Sequence, residues 1–274
     1  ELVNTHQTYG IPGRDIRQVI FSIFCAIDMI KSSNQSGILM SVDQKNAFDV
    51  IDWGFLIKTL KSVGIPDFSI EWIEIIYLKN SIKSSVSVNG FLCEFFNICR
   101  GLRQGCPLSP LLYVFVAEML ANKIRQDRDI LGINFGNSIM KLSNYADDMN
   151  FTLLNFSSIH RLLELFDEYK KASGASLNHD KTQILVIGNF NHIPEKFKKF
   201  LVPCIKIYGV YFNNNGFDVP KSFEPAREKI YKLLSTRAHS EFSLESRSIY
   251  ISTFFLSKFF YTASFMSPQK IYWS

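Results

Sequence analysis

Three aspartates have a spacing that suits a metal-dependent reaction. Asp147 and Asp148 interrupt the segment LSNYADDMNFTLL, in which apolar residues alternate on either side of the pair, so both are expected at a hairpin tip. Two adjacent acids repel each other and add nothing to a core. Asp43 ends the run ILMSVD, whose apolar composition indicates a buried central strand.

A strand end and a neighbouring hairpin tip can lie within the reach of one ion. Mg²⁺ is usually held by one or two carboxylates together with water and phosphate oxygens, so three acids can hold two ions. Two such ions about 3.5–4 Å apart could activate a 3′-hydroxyl and stabilise a leaving pyrophosphate. The alternative is that an Asp-Asp turn is only a solvated loop, which is the commoner outcome for an isolated pair.

The elements before the Asp-Asp pair have strong local signals. A Pro-Gly turn precedes apolar residues at helical spacing over 16–27, and Asp52 is placed to cap a helix over 53–63. The dipeptide Asn89-Gly90 separates two alternating segments, which predicts a type I′ hairpin. The segment RGLRQGCPLSP then leads into the helix LLYVFVAEMLANKIRQ.

The elements after the pair are predicted in the same way. A helix is expected from Ser157 or Ser158 to about Ala172. The segments KTQILVIG and IKIYGVYF indicate strands, and the pattern from Pro220 onward is helical.

The composition is that of a globular protein with one large domain or two modest ones. Hydrophobic residues make up 47% of 274 positions, and the net charge of +5 is compatible with a polyanionic partner. The five cysteines have no CxxC or zinc-finger spacing, so we expect reduced, mostly buried thiols in an intracellular protein. The apolar stretch IYISTFFLSKFFYTASFM contains Lys258 and several hydroxyls, which favours a core helix over a membrane span.

Several segments occur in an order that is informative as a set. They are HQTYGIPGRDI, SVDQKNAFDVIDW, VSVNGF, RGLRQGCPLSPLLYVFVAEML, NYADD, GASLNHDKTQIL and YGVYF. This series, which covers most of residues 6 to 212, resembles reverse transcriptases, in particular those of non-LTR (LINE-type) retrotransposons. YADD alone is moderately specific, whereas all the segments in one order are highly specific.

The resemblance implies an α+β fold with the right-hand architecture of polymerases. The palm would contain a mixed or antiparallel sheet with packing helices. By this reading residues 1–36 form partial fingers, 37–219 the palm with a fingers insertion at about 64–110, and 220–274 the start of a helical thumb. We expect the chain to be a fragment of a longer protein.

The same resemblance implies catalytic and nucleotide-binding roles. Asp43, Asp147 and Asp148 would bind two Mg²⁺ ions, with Mn²⁺ as a substitute, and Lys181 would protonate the leaving pyrophosphate. An exposed lysine that starts a strand is an equally open interpretation of Lys181. The remaining nucleotide-binding residues would be the backbone of Val42, the segment Gln44 to Ala47, Phe48, Gln104 and Gly105.

Phe48 would pack under the sugar and exclude a 2′-hydroxyl, although a core phenylalanine is the alternative in a chain with 25 of them. The loop RGLRQGCPLSP would contact nucleotide and template, and it also suits a loop before a helix with Ser109 as cap. Both interpretations can hold together.

The template and primer contacts implied by the resemblance are more dispersed. Arg100 and Arg103 would contact phosphates. Tyr208 and Gly209, in YGVYF, would form the turn that grips the primer terminus. Arg14 is expected to contact the template or the backbone of the fingers.

The implied partners are an RNA template, a DNA primer and deoxynucleoside triphosphates. The implied location is intracellular, in the nucleus, the cytoplasm or both, and no membrane is involved. A decayed or domesticated copy that binds nucleic acid without catalysis is one alternative. A group II intron-type maturase is another, which AFDVIDW and VSVNG fit less well.

Overall fold

A computed structural model describes residues 3–4, 7–79, 82–136, 138–235 and 242–266 of the chain. The α-helices are α1 (Ile16–Ser32), α2 (Trp53–Ser62), α3 (Asp67–Glu74), α4 (Leu108–Gln126), α5 (Phe156–Ser173), α6 (Glu195–Lys198), α7 (Val219–Leu234), α8 (Leu244–Tyr250) and α9 (Ser257–Ala263). The strands are β1 (Gly37–Val42), β2 (Gln44–Lys45), β3 (Lys83–Ser84), β4 (Ser87–Val88), β5 (Phe91–Leu92), β6 (Phe96–Asn97), β7 (Ile133–Phe135), β8 (Ser138–Met140), β9 (Leu142–Tyr145), β10 (Asp148–Leu153), β11 (Ser176–Leu177), β12 (Gln183–Ile187), β13 (Cys204–Ile207), β14 (Val210–Asn213) and β15 (Gly216–Phe217). Two π-helical segments, Ile75–Lys79 and Ile251–Leu256, and the 3₁₀ turn His179–Lys181 complete the described elements.

The chain divides into two units by its internal contacts. The first consists of Glu1–Asp15 and Ile38–Thr182, and the second of Ile16–Gly37 and Gln183–Ser274. The division into fingers, palm and thumb at residues 36 and 219 stays a prediction.

An antiparallel sheet forms the centre of the first unit. Strand β10 pairs with β1 on one side, with Val42 opposite Met149, and with β9 on the other, with Tyr145 opposite Asp148. Both long strands are almost fully buried, as the apolar run ILMSV predicts.

Helices α2, α4 and α5 pack together beside this sheet. Helix α4 is buried nearly throughout its length, which explains why its apolar residues are not confined to one stripe. Helix α5 packs on β10 through an edge-to-face contact between Phe166 and Phe151, whose ring centroids lie 6.1 Å apart. The Tyr169 hydroxyl donates to the Val116 carbonyl and ties α5 to α4.

The predicted caps and turns are largely confirmed. The Asp52 side chain accepts a hydrogen bond from the Phe55 amide at 2.7 Å and caps α2. Asn89 and Gly90 both have positive φ, as a type I′ turn between β4 and β5 requires. The cap prediction for Ser109 was wrong, because Ser109 lies inside α4, which begins at Leu108. Helix α5 begins at Phe156, one residue before the predicted start, and is capped by Asn155.

The second unit contains a three-stranded antiparallel sheet in the order β13-β14-β15. Helix α1 packs against this sheet, where Phe24 stacks on Phe217 at a centroid distance of 4.5 Å. Helix α7, in the same unit, contacts both β14 and α9, and the ring centroids of Phe223 and Phe259 lie 5.9 Å apart.

Two predictions about burial were wrong. All five cysteines are free thiols, but Cys25, Cys93 and Cys99 are exposed and the other two are only half-buried. The stretch from Ile249 to Met266 is not a core helix, because only its end, with Phe265 and Met266, is buried, and most of its other apolar side chains are exposed, Phe260 by 62%. An apolar pattern identifies a side chain that can be buried, but burial also requires a facing surface.

None of the described helices is both long and apolar enough to cross a membrane.

Candidate active site

Asp43 lies at the end of β1, where two polar side chains converge on its carboxylate. The pairing of β2 with β11 places Leu177 opposite Gln44, so the segment after β11 runs past Asp43. Asn178 donates from Nδ2 to Asp43 Oδ2 at 3.1 Å, and Lys181 Nζ lies 3.3 Å from the same oxygen. Lys181 is therefore at the predicted site, although its side chain is largely exposed.

The Asp-Asp pair occupies two structural positions. The turn between β9 and β10 consists of Ala146 and Asp147, and Asp148 is the first residue of β10. The prediction that both acids lie at the tip is therefore wrong for Asp148. Because Val42 pairs with Met149, the antiparallel register continues so that Asp43 follows β1 beside Asp148.

The three carboxylates influence one another electrostatically. Burial raises the pKa of the Asp148 carboxyl to about 6, with repulsion from Asp147 and Asp43 as further causes. Burial and the charge of Asp43 also raise the pKa of Asp147, while Lys181 opposes the effect. Such an arrangement disfavours three negative charges, so a cation in this place would be stabilised.

The donor set suits a hard divalent cation, but it does not form a complete coordination sphere. Across the described residues, no three acidic, histidine or cysteine side chains are grouped closely enough to hold one metal ion. Carboxylate oxygens at a cavity wall are nevertheless the ligands that Mg²⁺ takes together with water and phosphate oxygens. The residues therefore fit a cation whose coordination is completed by a phosphorylated ligand.

A cavity of about 530 Å³ opens beside these residues. Its lining brings together residues that are far apart in sequence: Asp43, Gln44, Lys45, Asn46, Ala47, Phe48, Asp49, Gln104, Asp147, Asn178, Asp180 and Lys181. The predicted segment Gln44 to Ala47 is included. Val42 and Asp148 are not among these lining residues, and the Val42 side chain is buried in the sheet.

Phe48 and Gln104 lie between this cavity and an adjacent one. Both line a second cavity of about 510 Å³ that also contains Gly105 and Arg103. The Gln104 side chain donates from Nε2 to Asp49 Oδ1 at 3.1 Å, which joins the two predicted nucleotide-binding segments.

A glycine makes this junction possible. Gly101 has φ +91°, and a β-carbon there would lie 2.6 Å from the Asp49 carbonyl oxygen. Its carbonyl also accepts a 2.7 Å hydrogen bond from Trp53 Nε1. Neither close approach can be read from the loop sequence alone.

The predicted template and primer residues do not all face the cavity. Arg100 and Arg103 line a third cavity of about 370 Å³, beside Trp53, and both are exposed. Arg14 donates to the carbonyls of Val3, Asn4 and Gln7, so of its two predicted roles the contact with backbone is present. Contact between Arg14 and template stays a prediction.

Tyr208 and Gly209, in the second unit, form a tight turn between β13 and β14. Both have positive φ, which matches the predicted hairpin. The Tyr208 carbonyl accepts a hydrogen bond from the Tyr261 hydroxyl. The role of this turn toward a primer stays a prediction.

Sequence reasoning missed two residues that shape the site. Asn178 donates to the Asp43 carboxylate, and its sequence signal is its position in the segment GASLNHDKTQIL, which the resemblance includes. Tyr113 is fully buried in α4 under Phe48, and burial raises the pKa of its hydroxyl. No local pattern distinguishes Tyr113 from its apolar neighbours in that helix.

Comparison with known sequences identifies the family of this chain. The family model described as "Reverse transcriptase (RNA-dependent DNA polymerase)" matches residues 2–260. The Transposon TX1 uncharacterized 149 kDa protein of Xenopus laevis is 27% identical over 276 residues, which cover 98% of this chain and 21% of the relative. The Pol polyprotein from type-2 retrotransposable element R2DM of Drosophila melanogaster is 26% identical over 147 residues, or 54% of this chain and 13% of the relative. The chain thus spans about a fifth or less of the length of these two relatives.

Solved structures give the same fold. The apo telomerase from Candida tropicalis, truncated from its C-terminal domain, matches with a TM-score of 0.54 and 16% identity over 74% of this chain and 39% of that chain. At this identity the likeness concerns the fold alone, and it confirms the predicted α+β polymerase palm.

Proposed function

This chain belongs to the reverse transcriptase family, of the non-LTR retrotransposon type, and on that premise we propose that it contains the catalytic core of an RNA-directed DNA polymerase. It would extend the 3′-end of a DNA primer on an RNA template, with deoxynucleoside triphosphates as substrates. The observation that carries the proposal is the 530 Å³ cavity, whose wall combines Asp43 and Asp147 with Lys181 and Phe48. These side chains supply a cation site, a phosphate contact and a sugar-facing ring in one place.

Members of this family generally use divalent metal ions. We propose Asp43, Asp147 and Asp148 as the residues that hold two Mg²⁺ ions here, with Mn²⁺ as a substitute. When bound, such ions lower the pKa of the attacking hydroxyl and stabilise the negative charge of the leaving pyrophosphate. Burial, followed by repulsion among the carboxylates, raises the pKa of Asp147 and of Asp148, and this supports the role because a nearby cation would favour the ionised forms against both effects.

The chain's own residues would orient the nucleotide. The residues Gln44 to Ala47, which line the cavity, and the backbone of Val42 would contact the triphosphate. Lys181 would neutralise it and donate a proton to the leaving pyrophosphate. Phe48 would lie against the sugar. Gln104, which is bonded to Asp49, would contact the nucleotide from the opposite segment.

The remaining contacts are proposed on chemistry rather than on distance to the cavity. Arg100 and Arg103 are exposed cations suited to template phosphates. The Tyr208–Gly209 turn is proposed to contact the primer. Arg14 is proposed to support the segment of residues 3 to 7, whose carbonyls it contacts. An intracellular site of action, in nucleus or cytoplasm, belongs to the same proposal.

A second function is favoured by one specific observation. Lys181 forms an ion pair with Asp43, and the described acids are not gathered into a complete metal site. In a decayed or domesticated copy that binds nucleic acid without catalysis, the Asp43–Lys181 ion pair would persist and no metal ion would bind. In a working polymerase the Asp43–Lys181 pair would separate when cation and triphosphate bind.

Primer extension on a poly(rA)/oligo(dT) duplex distinguishes these functions. The wild-type chain is compared with Asp147→Asn and with Asp167→Asn, a matched control on the exposed face of α5. Extension by the wild type and by Asp167→Asn, but not by Asp147→Asn, is the expected result. Hybrid binding that weakens with salt, without extension in Mg²⁺ or Mn²⁺, would select the non-catalytic copy if a longer protein with the upstream segment restored also fails to extend the primer.

A further inference from the structure

A buried glutamine contacts the turn that carries Asp147. The side chain of Gln7 is fully buried, and its Oε1 accepts two backbone hydrogen bonds. One comes from the Ala146 amide at 3.3 Å and the other from the Tyr9 amide at 3.1 Å. Because both partners are donors, the atom facing them must be the oxygen of the side-chain amide.

The residue that Gln7 holds has an unfavourable backbone conformation. Ala146 has φ +56°, in the left-handed region that a side chain with a β-carbon disfavours. Such a conformation persists only where its surroundings enforce it. Ala146 immediately precedes Asp147 in the turn, so the conformation of Ala146 sets the direction of the Asp147 carboxylate.

The neighbours of Gln7 contact the residues just before the same turn. Gln7 bridges to Asn144, and Thr8 donates to the Asn144 carbonyl from its amide at 3.1 Å and from its hydroxyl at 3.3 Å. The ring of Tyr9 packs edge-to-face on Tyr145 at a centroid distance of 5.0 Å. Residues 7 to 9 therefore contact three successive residues, 144 to 146.

Filling the core does not by itself account for a glutamine at this position. Gln7 Nε2 is buried and has no hydrogen-bond partner within the described part of the chain. A buried donor without a partner destabilises a fold, so an apolar side chain of the same length would fill the core better. What glutamine supplies and methionine lacks is the acceptor for the Ala146 amide.

We propose that Gln7 is a positioning residue for the polymerase reaction, which fixes the Ala146–Asp147 turn so that the Asp147 carboxylate is presented to metal and nucleotide. This inference rests on the proposed function. It assigns a role to the segment HQTYG, which contains none of the site residues predicted from the sequence. Gln7 is not among the residues that line the cavity, so it acts on the site through its hydrogen bond with Ala146.

The test compares Gln7→Met, which keeps the length but removes the acceptor, with Gln7→Glu, which keeps an acceptor oxygen. Gln18→Met, at an exposed glutamine of α1, is the matched control. Three quantities are measured on the full chain: hydrogen exchange of the peptide containing Ala146 without metal, Mn²⁺ binding by electron paramagnetic resonance, and the kcat and KM of primer extension.

In Gln7→Met, exchange at the turn is expected to accelerate roughly tenfold and kcat to fall roughly tenfold, with KM for the nucleotide nearly unchanged. Mn²⁺ binding should weaken by about threefold or more. Gln7→Glu should recover most of each loss, and Gln18→Met should match the wild type.

A second background separates positioning from general packing. In Ala146→Gly the left-handed conformation is accessible without strain, so the additional loss caused by Gln7→Met should be smaller there than in the wild type. Additive losses, or unchanged exchange at the turn in Gln7→Met, would overturn the inference. Because exchange is measured without metal or nucleotide, a wild-type chain that fails to extend a primer would overturn only the proposed function.

Discussion

The ring of Phe48 stacks on the ring of Tyr113, with centroids 4.5 Å apart and planes inclined by only 21°. Tyr113 is fully buried in α4, so Phe48 has no room to withdraw into the core. The Phe48 carbonyl also accepts a hydrogen bond from the Leu102 amide at 2.6 Å. The cavity wall at Phe48 is therefore rigid, which is what discrimination by steric exclusion requires.

Phe48→Val should admit ribonucleotides. The smaller side chain leaves space where a 2′-hydroxyl would otherwise collide, so the ratio of kcat/KM for ribo- over deoxynucleotides should rise by about tenfold or more. Steady-state incorporation of both sugars measures this ratio. Phe68→Val, at an exposed phenylalanine outside the cavity, serves as the control. An unchanged ratio would remove Phe48 from the sugar contact.

Asp147→Asn should abolish extension while leaving the fold intact. The variant removes a charge that Asp43 and burial already disfavour, so the metal-free thermal midpoint should stay the same or rise. Circular dichroism and a thermal melt in chelator test the fold, and extension with Mg²⁺ tests the reaction. Retained extension would contradict the assignment of Asp147 as a metal ligand.

The metal-free chain should lose stability as the pH rises through the range in which Asp148 titrates. Its folded-state pKa is raised from 3.8 to about 6, so between these values the folded chain binds more protons than the unfolded chain. Stability therefore falls with rising pH across that range.

Other carboxylates titrate in the same range, so the comparison is made with Asp148→Asn. Thermal midpoints measured in chelator from pH 4 to 7 should fall more steeply for the wild type than for this variant. Saturating Mg²⁺ should reduce the difference in slope, because the bound cation favours the ionised carboxylate. Equal slopes without metal would show that the Asp148 pKa is not raised.

Lys181→Gln should slow the reaction without destabilising the chain. The Lys181 side chain is largely exposed in its ion pair with Asp43, and pairs with such an exposed partner contribute about 1 kcal/mol or less to the free energy of unfolding. As a general acid, however, Lys181 would account for roughly 100-fold in kcat. The pH–rate profile is the decisive readout, because its basic limb should disappear in the variant. Lys170→Gln, at an exposed lysine of α5, should retain that limb.

Glu118→Ala should destabilise the first unit strongly. Glu118 is buried, pairs with Arg125 and accepts a hydrogen bond from the Asn4 amide at 3.1 Å. Removing it leaves the half-buried Arg125 without its counter-charge, which costs up to about 3–5 kcal/mol. Urea unfolding measures the loss. Glu168→Ala, which breaks an exposed pair with Lys123, should change the midpoint little.

The sequence predicted what local chemistry determines. Asp43 at a strand end, Asp52 as a cap and the Asn89-Gly90 turn each follow from a few adjacent residues, and the structure has all three. The ordered segments also identified the family, because each is short and its position relative to the others is informative.

Long-range contacts could not be predicted in this way. Gln7 meets Ala146 across 139 positions and Asn178 meets Asp43 across 135, and neither pair has a sequence signature. The same reason explains the errors. Phe260 and Cys93 were expected to be buried because of their residue types, but both are exposed. Burial depends on which surface faces a side chain, and no local sequence pattern encodes that surface.

The layout of the cavity also has a consequence for the gene. Its lining residues are distributed over the whole stretch from Asp43 to Lys181: a block at 43–49 is joined by Gln104, Asp147 and residues near Lys181. A frameshift or nonsense mutation anywhere between these two codons therefore deletes part of the cavity, whereas one beyond codon 182 spares every lining residue.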